Sequence, residues 1–294
     1  MHGLLFGISM SLISSLFWAT AVINFRKARD TKSSLVVNLG KNVIGIIAFG
    51  IALLVTGTSL TPEAGIETQL RLLASGVFGV ALGDLLFMAS LYLLGAGLNS
   101  IVGCFYTPML ITGSILFLGE SVSPGLWAGG TLVMAAIYLA SVDNLKQRPR
   151  SLKLGIIIGF LSMAATVSGV VFMKPVLTTH SLLWVNFIRL LTGMLFLIIY
   201  LMIKPGRAKD IEGMKIKDGW INLIIGGLSG SFLAVFFWTV SLKSLPASLV
   251  AVLGQLTVIV ILIFARFWLN ESLTPRKILA SFIAVTGAIL ASVF

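Results

Sequence analysis

Three ionisable side chains stand inside long apolar runs: Lys41, Asp84 and Arg189. A charge at bilayer depth costs about 2.5–3.5 kcal/mol on insertion scales, so each marks either a function or a specific pairing. Lys41 and Arg189 could attract a carboxylate or phosphate, which needs a cationic partner in a dry cavity. Their long side chains could equally snorkel to the nearest interface or bond helix-end carbonyls. Asp84, in Leu82-Gly83-Asp84-Leu85, has three readings: counter-ion to one of the cations, proton carrier that loads and releases as its surroundings alternate, or contact for a substrate amine.

Uncharged groups complete the candidate set. Trp18, Tyr106, Trp238 and Gln255 lie deep in their runs and, with Lys41 and Arg189, are candidates to line a cavity or touch a substrate. Asn38, Asn99 and Asn186 are further polar residues within the runs. Pro108, two residues after Tyr106, would free a backbone carbonyl, a device tolerated where helices line a cavity. Tyr92, Trp127, Trp184 and Trp220 fall near run ends and fit an interfacial belt. Glu120 and Glu271 end their runs ahead of Pro124 and Pro275, and are expected to fix the turn into the next helix.

Hydrolytic chemistry finds no support. Gly227-Leu228-Ser229-Gly230 has the shape of a serine-protease motif, but the two histidines are His2 and His180, at the terminus and in a loop. Ser229 therefore lacks an embedded base. No second intramembrane aspartate exists to form a dyad with Asp84. No phosphate-binding glycine loop is present, and no histidine accompanies the glutamates to hold a metal. Neither an enzymatic activity nor a cofactor or metal is expected.

The elements that must position these residues follow from composition. Of 294 residues 57% are hydrophobic and 11% charged, too few charges to cover a water-facing surface. The chain is expected to be all-α and integral to a membrane. A hydrocarbon core about 30 Å thick takes roughly 20 helical residues. Ten runs fit, near 4–25, 35–56, 70–94, 98–118, 122–141, 152–173, 181–203, 220–242, 247–269 and 278–294. They are continuously apolar, whereas barrel strands alternate. Gly95-Ala96-Gly97 is expected to separate the third and fourth runs, and Lys243-Ser244-Leu245-Pro246 the eighth and ninth. The net charge of +11 sits mostly in the gaps, as helix flanks do, so nucleic acid is not an expected partner. Cys104, the single cysteine, permits no internal disulfide.

The chain repeats itself. Shifted by 151 residues, Leu118-Gly119-Glu120-Ser121-Val122-Ser123-Pro124 falls on Leu269-Asn270-Glu271-Ser272-Leu273-Thr274-Pro275, and Ser90-Leu91 on Ser241-Leu242. Earlier, a shift of 148 lays Val37-Asn38, Lys41 and Gly45 on Val185-Asn186, Arg189 and Gly193. Two five-helix units are expected, 1–144 and 152–294, joined by a linker at 145–151. Five is odd, so the second unit enters the membrane from the opposite face. Inverted repeats of this kind build many secondary transporters, with the site between them.

The same segments resemble the EamA-type transporters of the drug/metabolite transporter superfamily. Phe17-Trp18-Ala19-Thr20 is similar to that family's first-helix motif, and Ser241-Leu242-Lys243-Ser244-Leu245-Pro246-Ala247-Ser248 to its eighth-to-ninth helix hairpin. The two Glu-Ser-x-x-Pro turns at Glu120 and Glu271 resemble its repeated turn, and Lys41 and Arg189 match its basic residue in the second helix of each half. The resemblance implies ten helices around a central cavity and movement of small metabolites, often amino acids, usually outward.

The resulting expectation is a multi-pass cell-membrane carrier that exports small polar metabolites by alternating access. A non-transporting membrane subunit or receptor is the alternative, and an intramembrane hydrolase a weaker one. The expected partners are a small-molecule substrate, the lipid bilayer and protons as coupling ion, with the chain a monomer or homodimer. The loops on one side and their flanks hold 16 Lys and Arg, against 3 on the other. Cytoplasmic loops are the basic ones, which places both termini outside; the family resemblance implies both inside.

Overall fold

The computed structural model describes residues 2–28, 31–60, 63–103, 105–141, 151–257, 259–260, 264 and 275–293. Everything regular among them is helical. In the first half these are α1 His2–Ala28, α2 Ser34–Val55, α3 Ile66–Ser75, α4 Asp84–Gly103, α5 Tyr106–Leu118 and α6 Pro124–Ser141. The second half has α7 Leu152–Thr179, α8 Leu182–Ile203, α9 Arg207–Lys215, α10 Trp220–Gly226, α11 Val235–Ser244, α12 Ala247–Gly254 and α13 Pro275–Val293. Six described stretches are long and apolar enough to cross a bilayer: Gly3–Phe25, Ser34–Val55, Ile66–Ser90, Leu152–Thr179, Leu182–Ile203 and Trp220–Ser244. Tyr106–Leu118, Pro124–Leu139 and Ile278–Val293 are apolar but shorter. Beyond α12 the ninth expected run is described through residue 257 and then only at 259–260 and 264. The motif around Glu271, like Cys104 and most of the 145–151 linker, lies outside the described residues.

One rod in each half is interrupted in the same way. Between α3 and α4, Gly76–Gly83 is π-helical, and between α10 and α11 so is Gly227–Ala234. The two segments stand 151 residues apart, the shift of the sequence repeat. Such wide turns cluster at functional sites. Here they coincide with glycines that let a neighbouring backbone approach: a Cβ on Gly76 would lie 2.6 Å from the Arg189 carbonyl.

Two expectations need correction. Gly95-Ala96-Gly97 is not a gap, because α4 runs helically through it to Gly103. The break comes at Phe105, so the fourth expected run is divided between the end of α4 and α5. The repeat supplies the reason: Gly95 stands where the second half has Pro246. Glycine keeps its amide donor and can stay helical, whereas proline lacks that donor and clashes with the preceding turn; α11 duly stops at Ser244 and α12 restarts at Ala247. Pro108 likewise makes no mid-helix kink. It lies in the first turn of α5, where no intrahelical amide bond is lost.

The halves interlock through antiparallel pairs. Along α1 and the rod of α10 and α11, Gly7 meets Leu245, Ser14 donates to the Ala234 carbonyl at 2.8 Å, Ala21 meets Gly230 and Phe25 meets Gly226. The mirrored pair is α7 with the rod of α3 and α4: Gly155 meets Leu94, Ser162 donates to the Gly83 carbonyl at 2.8 Å, and Gly169 meets Gly79. Repeat mates also touch each other. In α2 and α8, Gly45 faces Leu190 and Gly50 faces Phe187; in α6 and α13, Gly129 faces Ala291 and Gly287 faces Val133. Small residues at these crossings allow the close packing that drives helix association in lipid. The largest buried cluster, including Leu53, Leu110, Met173, Leu177, Leu242 and Leu253, draws on both halves.

Candidate functional site

Lys41 and Arg189 converge on the π-helical rod of the first half. Lys41 is buried on α2, and its Nζ donates to Asp84 Oδ2 at 2.6 Å, where α4 leaves the π-helical segment. A second bond reaches Asn42 Oδ1 at 3.2 Å, and Asn42 Nδ2 donates to Asn38 Oδ1 at 3.4 Å. Arg189, buried on α8, crosses from the other half: its Nε donates to Ser75 Oγ at 2.7 Å, just before the π-helical segment begins. Ser75 passes the chain on, donating to the Gly169 carbonyl of α7 at 2.5 Å. Arg189 Nη1 donates to Asn186 Oδ1 at 3.4 Å, and Asn186 Nδ2 to Thr239 Oγ1 of α11 at 2.9 Å.

Neither cation snorkels, since both are under about a tenth exposed and bond inside the bundle. Asp84 has the counter-ion contact to Lys41 while itself 29% exposed, against 6% for the lysine side chain. That asymmetry leaves a carboxylate edge accessible next to a dry ammonium. Asp84 and Tyr106 both lie within electrostatic reach of Arg189. Asn38 Nδ2 is buried with no hydrogen-bond partner among the described residues. A buried unpaired donor costs about 1–3 kcal/mol, so this amide is poised for an acceptor.

The other sequence candidates are more scattered. Tyr106, in the first turn of α5, and Trp238, on α11, both pack against the large shared core. Trp18 on α1 is 36% exposed, and Gln255 closes the C-terminus of α12. Ser75, Asn42 and Thr239 belong to the cluster although nothing in their spacing singled them out. For Ser75 one signal existed: its mate at the 151-residue shift is Gly226, so a polar side chain stands where the copy needs none.

Polar ties join the halves at both ends of the bundle. After Gly119 ends α5 in the left-handed region (φ 66°), Glu120 reaches into the other half. Its Oε1 accepts from Lys174 Nζ and from the Ala247 amide, each at 2.6 Å; its Oε2 accepts from Ser248 N at 3.1 Å and Ser248 Oγ at 2.8 Å. The glutamate thus caps α12, where helix amides lack partners, rather than merely turning its own chain into α6. Burial would raise its carboxyl, but Lys174 and the two amides outweigh that and hold it below the usual carboxylate range.

At the opposite end Lys204 Nζ pairs with Asp210 Oδ2 at 2.6 Å and Ser33 Oγ donates to Asp210 Oδ1 at 2.5 Å. Lys32 donates to the Ile216 carbonyl at 2.9 Å and stands over the Trp220 ring. A cleft of about 390 Å³ opens here, lined by Ser34, Leu85, Met88, Tyr200, Lys204 and Asp210. Leu85 directly follows Asp84 in the chain, so the cleft borders the rod that carries the ion pair. No group of three or more His, Cys, Asp or Glu that could hold a metal occurs among the described residues.

Comparisons with known proteins agree with this architecture. No curated protein sequence matches the chain. A solved crystal structure superposes with a TM-score of 0.81 over 97% of this chain and 96% of its own, at 15% identity. At that identity the likeness speaks for the fold. The profile of the EamA-like transporter family matches twice, over residues 5–142 and 153–293. With both halves matched across nearly the whole length, this multi-pass membrane protein belongs to the EamA-like transporter family, within the drug/metabolite transporter superfamily.

Proposed function

We propose that the chain is a secondary transporter of the cell membrane that exports small polar metabolites, amino acids among them, by alternating access. Its working parts are two inverted five-helix units, 1–144 and 152–294, around a central cavity. The observation that carries this reading is Arg189 of the second half bonded to Ser75 of the first, on the rod where Lys41 meets Asp84. A charged cluster shared between halves responds when the halves move. Repeat mates in antiparallel contact also suit units related by an axis in the membrane plane. Asp84, exposed at one edge, is the proposed proton carrier, and the basic loops place both termini outside. One chain holds the whole cluster, so a monomer suffices for transport.

Flux tests this. Reconstituted in proteoliposomes, the protein should release radiolabelled amino acids under a pH gradient, and Asp84→Asn should abolish pH-driven release while substrate exchange continues. Absence of flux for every class of small polar metabolite, in protein that is folded and correctly reconstituted, overturns the carrier reading in favour of a scaffold or receptor.

A further inference from the structure

From the charges around the first-half rod we infer that the site selects ligands of net charge −1, with the ligand carboxylate seated on Arg189 and Lys41 left to Asp84. The inference rests on the transporter reading and deepens it.

The two buried cations are not equivalent. Lys41 has a carboxylate at 2.6 Å, whereas Arg189 bonds only the neutral oxygens of Ser75 and Asn186 among the described residues. A guanidinium offers five donors in a planar fork that matches a carboxylate on two bonds. It keeps its charge when buried, so a carboxylate is the partner that offsets its desolvation. The fork packs closely on the rod because Gly79 presents no side chain: a Cβ there would lie 3.3 Å from Arg189 Nη2. Asp84, not bonded to Arg189, and Tyr106 lie within electrostatic reach of the guanidinium, and the unpartnered Asn38 Nδ2 on α2 is a further buried donor in the polar cluster of that helix.

Two cations and one carboxylate leave the cluster at +1. A monoanion brings it to neutrality. A zwitterion leaves the excess in place, a dianion reverses it and a cation doubles it. Net charge, more than the presence of an ammonium, therefore decides entry.

A five-carbon series isolates charge from size: pentanoate, norvaline, glutarate and pentylamine, titrated by calorimetry into the full chain in nanodiscs at pH 7. Pentanoate should bind most tightly. Arg189→Gln should weaken it by at least about thirtyfold, the loss expected when one member of a buried charge pair is removed, and Arg189→Lys should recover part of that. Lys41→Met takes the cluster to zero and should move the preference to norvaline; Asp84→Asn takes it to +2 and should move it to glutarate, with pentanoate still bound so that exchange continues. If one of these two fails to fold, the other still decides. Equal binding of pentanoate by wild type and Arg189→Gln, an unaltered order of preference in the charge variants, or no binding by any of the four overturns the inference. Failure of the carrier reading looks different: ligands bind with this charge rule, yet proteoliposomes show no flux.

Discussion

Gly76–Gly83 and Gly227–Ala234 are one backbone device placed twice, but their surroundings differ. The first-half segment is bracketed by Ser75 and Asp84, and both buried cations reach it. At the mate positions the second half has Gly226 and Val235, and its segment is packed by Phe25, Ala21 and Ile44. Even Arg189, the second half's own basic residue, crosses to the first-half rod. The frame occurs twice, 151 residues apart, and each copy packs on helices of the other half. The buried charge is placed once, and each extra buried charge raises the cost of folding.

The largest test breaks the polar side. Asp84→Ala leaves Lys41 buried without its carboxylate, and denaturant unfolding in detergent should show a loss of about 3–5 kcal/mol. Replacing both partners, Lys41→Met with Asp84→Leu, should recover most of it, since well-packed apolar pairs often substitute for buried ion pairs without penalty. If single and double variants lose equally, the pair is not what holds this rod against α2.

Next in size is the glycine packing. Gly76→Ala places a methyl against the Arg189 carbonyl and the Thr192 hydroxyl, and a backbone oxygen in α8 cannot step aside. Overpacking of this kind costs about 1–3 kcal/mol. At the mate, the nearest atoms to a Gly227→Ala methyl are Cδ1, Cβ and Cγ2 of Ile44, with no backbone atom among them, so the loss should be smaller. Thermal unfolding of both variants checks the order; the reverse order would mean that the second-half segment is the more tightly packed one.

The duplicated frame was legible because a repeat survives as a shift, and the shift that aligned Glu120 with Glu271 also relates the two π-helical segments. Lys41, Asp84 and Arg189 stood out because charge in an apolar run has few explanations. What the chain could not announce were partners across halves. Glu120 reads as a turn residue by position, and only the packing of α5 against α12 turns it into the cap of Ala247 and Ser248. Gly95 and Pro108 misled for a related reason: each breaks or permits a helix according to its place in the turn, which spacing alone does not fix.

An effect in the same range is expected at Ser75. Its hydroxyl accepts from Arg189 and donates to Gly169, and Ser75→Ala should cost about 1–3 kcal/mol, the range for a buried group left without its partner. The check is a double-mutant cycle with Arg189→Gln: in that background the Ser75 change should cost distinctly less. Additive losses would separate the serine from the guanidinium and leave the first-half rod polar by composition only.

The smallest effect comes from an ion pair of the same length whose lysine is the exposed partner. Lys204–Asp210 also measures 2.6 Å, but here the aspartate is the buried partner at 5% and the lysine is 31% exposed. This is the reverse of Asp84 at 29% and Lys41 at 6%, so the lysine left behind by an Asp210 change is hydrated. Solvent screens such a pair, so Asp210→Asn should cost only about 1 kcal/mol at neutral pH. The pH dependence has a definite sign. Burial raises the Asp210 carboxyl, but Lys204 and Ser33 outweigh it and hold it below the usual carboxylate range in the folded protein. A group depressed on folding binds more protons when unfolded, so its contribution is full above the unfolded value, about 3.9, and fades as pH falls through the folded one. Unfolding midpoints of wild type and Asp210→Asn should therefore differ at pH 7 and converge on acidification below about pH 4. A gap that persists into acid would show that Asp210 acts through packing rather than charge. A gap at pH 7 as large as that of Asp84→Ala would mean that burial of the lysine left behind, the property that separates the two variants, does not set the loss.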